Sequence, residues 1–157
     1  MPPTESLLVK LNSELKKAEE DYIKNLSKEL SDLIKLINFI ISNNEEFLRS
    51  PICKVCDKPV KDNDSELHHP SGWKHNPDIV LTVCKSCHQE LSRRQMLWDK
   101  RWELADQTEN VRNAFLLQGI SDILMLRYVK LNEASALFLS NSLYYTISTL
   151  LGTDKHG

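Results

Sequence analysis

Glycine is scarce in this chain, with four in 157 residues, and proline is little commoner, with six. A fold of many strands and tight turns needs more of both, so the scarcity points to long helices. Long apolar runs are also missing: no stretch of about 18 apolar residues occurs, which argues against a membrane span. The nearest candidate, LFLSNSLYYTISTLLG at 137–152, is interrupted by Ser140, Asn141, Ser142, Thr146, Ser148 and Thr149. The opening MPPTESLLVKLNSEL has no basic segment followed by an apolar core, so no secretion signal is expected. Cysteine is absent except between residues 53 and 87, where all four fall in two C-x-x-C pairs. A disulfide framework would spread its cysteines through a small secreted chain. Two close pairs favour metal ligation instead, in a reducing, cytoplasmic setting.

What is present divides into three regions, within a length that fits one domain or a small domain with helical extensions. Residues 1–48 read as one long amphipathic, coiled-coil-like helix or a helical hairpin. Leu8, Leu11, Leu15, Ala18 and Tyr22 recur with steps of 3, 4, 3 and 4, a heptad seam. Leu26, Leu30, Leu33, Ile37 and Ile40 follow, beginning with two steps of 4, which is a stutter in the supercoil pattern. Such a stripe needs cover from this chain, a second copy or a helical partner protein. Asn43-Asn44 and Ser50-Pro51 are plausible stops.

Residues 49–101 collect Pro51, Pro59, Pro70, Pro77 and Gly72, with a strand-like run from Ile79 to Val83. Their ten Lys/Arg against seven Asp/Glu make a basic module, while residues 1–48 have six against nine and residues 102–157 four against six. A basic module on an acidic frame is a mild pointer to an anionic partner. From residue 88 to 150 three helices are expected. The first carries Leu91, Gln95, Trp98 and Trp102 on one face. The second spans about Asp106 to Leu131, with Ala114, Leu117, Ile120, Leu124 and Tyr128. The third runs from near Asn132 to Leu151, with Gly152 as its stop. The fold class expected is mainly α, with long helices flanking a small zinc module.

Cys53-Lys-Val-Cys56 and Cys84-Lys-Ser-Cys87 can each form a tight turn whose thiolates converge, and two such turns supply the four sulfurs that tetrahedral zinc takes. Lys54 and Lys85 sit inside the turns, where positive charge would lower the thiol pKa values. A module of about 50 residues with few large apolar side chains needs such a staple, and metal binding energy becomes folding energy.

With four sulfurs on the zinc, His68, His69 and His88 are left over. His68 and His69 fall where the first strand of a hairpin would end. His88 opens the helix after the second cysteine pair, so the metal brings it beside them. Neighbours on a strand point to opposite sides, so one histidine can hold a cation while the other faces a water or substrate. That division suits metal-assisted hydrolysis.

C-x-x-C, then ELHHP at 66–70, then an aliphatic strand ending in CKSCH at 84–88, resembles the zinc-stapled branch of the HNH endonucleases, over about residues 51–94. The resemblance implies a ββα-metal, treble-clef unit that cuts DNA. It implies His68 and His88 as ligands of a catalytic Mg²⁺ or Mn²⁺, and His69 as the general base. The family's middle asparagine lies five residues before the second cysteine pair, where this chain has Ile79. Asn76 is the nearest candidate and His75 an alternative. Ser92 stands where some relatives carry a further histidine. In the family the helix after the last motif histidine lies against DNA. Arg93 and Arg94 are therefore candidates for phosphate contacts, or else part of a solvated face, with Lys100 and Arg101 about two turns later. Trp98 and Trp102 read as core rather than as stacking partners for bases, and Trp73 as either cover for the module or a substrate contact. Glu66 either orients a histidine or is solvated. The expected activity is DNA phosphodiester hydrolysis, with a homodimer giving two nicking sites. The alternative is a non-catalytic zinc adaptor that binds nucleic acid or protein.

Overall fold

The computed structural model describes residues 3–153. The chain is mainly helical, with one small antiparallel sheet among the described residues. No helix among these residues is long and apolar enough to cross a membrane.

Helix α1 runs unbroken over Pro3–Ser42. At 1.5 Å per residue its 40 residues extend about 60 Å. Asn43 then takes a left-handed backbone (φ 52°), and a one-turn helix α2 follows at Glu45–Leu48, capped by Asn44 Oδ1 on the Phe47 amide at 3.2 Å. The long helix is thus single and ends at the asparagine pair. Only its C-terminal half packs: Leu33, Leu36 and Ile40 are buried, whereas Leu8, Leu11, Leu15 and Tyr22 are exposed. The change from exposed to packed falls where the heptad pattern breaks, between Tyr22 and Leu26.

Strands β1 (Ser65–His68) and β2 (Leu81–Cys84) pair antiparallel, Ser65 opposite Cys84 and His68 opposite Leu81. The second strand is shorter and later than the aliphatic run suggests, because Ile79 and Val80 belong to the hairpin loop. Helix α3 (Lys85–Gln95) starts directly from β2 with Cys84 at its N-cap. It stops at Gln95, earlier than expected. Trp98 and Trp102 therefore do not continue the Leu91–Gln95 face, and Trp102 lies in a 3-10 turn at Lys100–Glu103. Packing supplies the reason. Trp98 stacks on Phe115 (5.9 Å, 4°), its Nε1 donates to Asp122 at 2.8 Å, and Trp102 meets it edge-on at 5.6 Å. Both indoles serve the interior.

Helix α4 (Glu109–Leu131) is N-capped by Thr108 and ends on Asn132 in the left-handed region. It is central rather than one-faced, since Val111, Phe115, Ile120, Ile123, Leu124 and Leu126 are all buried. Helix α5 (Ala134–Thr153) packs back along it. Glu29 Oε1 of α1 accepts from the Ser135 amide at 2.9 Å, capping the first turn of α5 from outside. Gly152 does not stop this helix, which runs one residue past it. One glycine in a last turn costs about 1 kcal/mol relative to alanine, too little to end a helix alone.

Candidate metal and histidine site

The first cysteine turn is built by backbone bonds. The Cys53 amide donates to Lys58 O at 2.9 Å and the Asp57 amide to Cys53 O at 2.9 Å, while Asp57 takes φ 58° to close the turn. The Lys54 amide donates to Thr82 O at 3.0 Å, which fastens this turn to β2. The second turn forms at the β2–α3 junction. All four cysteines are free thiols, and their sulfurs lie within 4.8 Å of one another. Cys56 Sγ and Cys84 Sγ are 4.0 Å apart. Bonds of about 2.3 Å in a tetrahedron put sulfurs about 3.8 Å apart, so the cluster fits a metal such as zinc. A hydrogen bond from Cys87 holds the Cys53 thiol far below its ordinary range, to about 4, and the same pairing raises Cys87. Burial raises Cys56.

Lys54 acts on Cys53 through its charge. Lys54 is buried and its Nζ turns to Ser50 Oγ (2.5 Å) and Ile52 O (3.1 Å), 4.7 Å from the centre of the Phe47 ring. Lys85 is exposed. From the frame, Lys130 of α4 adds a positive charge near Cys87 and pairs with Glu90 at 2.9 Å.

Glu66 and His68 share one face of β1, towards α3. The His68 ring is buried and meets the His88 ring edge-on, with centroids 5.7 Å apart. Burial foremost, then the neighbouring histidines, push His68 down to about 3, so it is neutral. Glu66 Oε2 accepts from His88 Nδ1 at 2.7 Å. That bond fixes the His88 tautomer and leaves Nε2 as a lone-pair donor. Two imidazoles at this spacing could share a divalent cation. His69, past the strand end, is half-buried. Burial lowers its pKa, and a hydrogen bond to the Pro77 backbone works in the opposite direction. Arg49, exposed, adds a positive charge near His69.

The loop after His69 is held carbonyl by carbonyl. Gln95 Nε2 donates to His69 O at 2.8 Å, and the Gly72 amide closes a turn onto the same oxygen at 3.0 Å. Trp102 Nε1 donates to Ser71 O at 3.1 Å. Pro70 O lies against α4 at Gly119, where an added Cβ would come within 1.9 Å of it. Asn76 Nδ2 donates to Ser71 Oγ at 3.1 Å, so its side chain belongs to this loop. His75 is buried against Phe115 and its Nε2 donates to Trp102 O at 2.8 Å, so it does not join the other histidines. Arg93 is exposed, while Arg94 is half-buried and its charge acts on Asp122. Arg101 is tied to Asp99 and Leu151 O. Trp73 is exposed at the hairpin tip.

Arg127 is a site residue that local patterning does not reveal. Its buried guanidinium donates to both oxygens of Asp57, both of Glu133, and to Lys54 O at 2.7 Å. It clamps the first cysteine turn to α4 and to the start of α5. Comparison of the chain with family models, curated proteins and solved structures finds no match in any of the three.

Proposed function

We propose that this chain is a metal-dependent endonuclease of the HNH type that hydrolyses DNA phosphodiester bonds. The observation that carries the proposal is the pairing of the His68 and His88 rings, with Glu66 behind His88 and His69 outside that pair. Zinc on Cys53, Cys56, Cys84 and Cys87 is the staple that joins hairpin to helix. His68 and His88 would hold a divalent cation such as Mg²⁺ or Mn²⁺, which would neutralise charge on the leaving oxygen. His69 accepts the proton of the attacking water. Asn76 holds the loop that carries His69 rather than touching substrate. Arg93, exposed one turn beyond His88, contacts a backbone phosphate, and Arg94 is drawn towards Asp122 instead.

A second reading is a non-catalytic zinc adaptor. It is favoured by apolar Ile79 at the family's middle position and by the engagement of Asn76 and His75 elsewhere. Plasmid nicking with Mg²⁺, Mn²⁺ or EDTA, beside His69→Ala at matched zinc content, separates the two. The nuclease reading expects cation-dependent nicking that falls about 10²- to 10⁴-fold in the variant. Equal cutting by both proteins removes His69 from the mechanism. No cutting by either, with one zinc bound in each, favours the adaptor.

A further inference from the structure

The free half of α1 carries a seam that the other described residues leave exposed. Leu8, Leu11, Leu15 and Tyr22 are 56, 45, 58 and 61% exposed. Placing Leu8 at heptad position a puts Leu11 and Ala18 at d and Leu15 and Tyr22 at a. The e and g positions then fall on Glu5, Leu7, Asn12, Glu14, Glu19 and Asp21. Every charge flanking the seam is negative. The four lysines of this half, Lys10, Lys16, Lys17 and Lys24, all fall at b or c, away from the flanks.

Charges at e and g choose the partner of a coiled coil. A parallel second copy would set Glu14 against Glu19, and an antiparallel copy would set the same acidic flanks against each other. Self-pairing therefore meets like charges in either direction. We infer that the Leu8–Tyr22 face of α1 docks a different protein, through a helix with an apolar seam flanked by lysine or arginine. The stutter after Tyr22 marks where this arm leaves the frame, so the docking element and the packed element are separate parts of one helix. The inference is independent of the nuclease reading.

Two labelled peptides test it against the full-length protein by fluorescence anisotropy at low salt. One copies residues 4–28. The other is the same peptide with Glu5, Glu14, Glu19 and Asp21 replaced by lysine. The lysine peptide is expected to bind at least about tenfold more tightly than the copy. Its binding is expected to be lost with a Leu11→Asp, Leu15→Asp double variant of the protein, whose exposed positions leave the packed frame untouched. The inference is overturned if the copy binds as well as the lysine peptide, which would mean self-pairing. It is also overturned if neither peptide binds, or if binding survives the double variant, which would mean that charge acts without the seam.

Discussion

Replacing Gly119 by alanine tests how closely α4 supports the histidine loop. The new Cβ would lie 1.9 Å from Pro70 O, 2.5 Å from its carbonyl carbon and 2.9 Å from its Cα. These are backbone atoms, which cannot rotate away. The loop or the helix must give by about 1.1 Å to open the nearest contact even to 3.0 Å. Overpacking of this kind costs about 1–3 kcal/mol, and the better helix propensity of alanine returns up to about 1 kcal/mol. A net loss of about 1–2 kcal/mol is expected in urea unfolding. Gly152→Ala supplies the control, since nothing lies within 4 Å of that Cβ, so only the propensity gain should appear. His69 adjoins the displaced residue, and a misplacement of about 1 Å can cost about 10²-fold in rate. On the nuclease reading, nicking by the Gly119 variant should therefore fall by that order under conditions where it remains folded. If Gly119→Ala proves as stable as Gly152→Ala, the close approach of helix and loop is wrong.

Three further outcomes follow from named contacts. Arg127→Ala should lose about 3 kcal/mol in denaturant unfolding, because it strands Glu133 and the Lys54 carbonyl, and Arg127→Lys should not restore it, lacking the planar fork. Burial raises the Asp122 carboxyl above its ordinary pKa, more than the Trp98 and Gln118 hydrogen bonds and the Arg94 charge lower it. Its folded pKa lies above its unfolded one, so stability should fall as pH rises from the ordinary carboxylate value through the raised one. The slope in that window should flatten in Asp122→Asn, measured as unfolding free energy against pH. On the zinc reading, a strong chelator should release one metal per chain and abolish the cooperative melt of the hairpin, and Cys84→Ser should do the same without chelator, read by metal analysis and circular dichroism.

The parts of the fold that could be read from sequence are those encoded locally. Cysteine spacing brings four sulfurs together because each pair is one turn. Heptad steps and their break give both the length of α1 and the place where its packing changes. The end of α3 was not legible, since no glycine or proline lies between Gln95 and Trp102. That break is made by Phe115 and Asp122, which draw Trp98 into the interior from a helix that starts 11 residues later. The support of the His69 loop was hidden for the same reason: Gln95, Trp102 and Gly119 reach it from 25 or more residues away, and none carries a motif. Arg127 meets Asp57 across 70 positions, with only a lone charge in an apolar helix as a hint. Lys54 acts on Cys53 by charge, as its place between two cysteines suggests, but its bonds to Ser50 Oγ and its position over the Phe47 ring carry no local signal.

The contacts around Arg127 also set how force travels through the molecule. From the first cysteine turn the path runs through Asp57 to Arg127, on to Glu133 at the foot of α5, and from Ser135 to Glu29 on α1. These joints stand in series and each is a hydrogen bond between ordered groups. A pull on the projecting end of α1 would therefore reach the cysteine turn through three side-chain contacts in series.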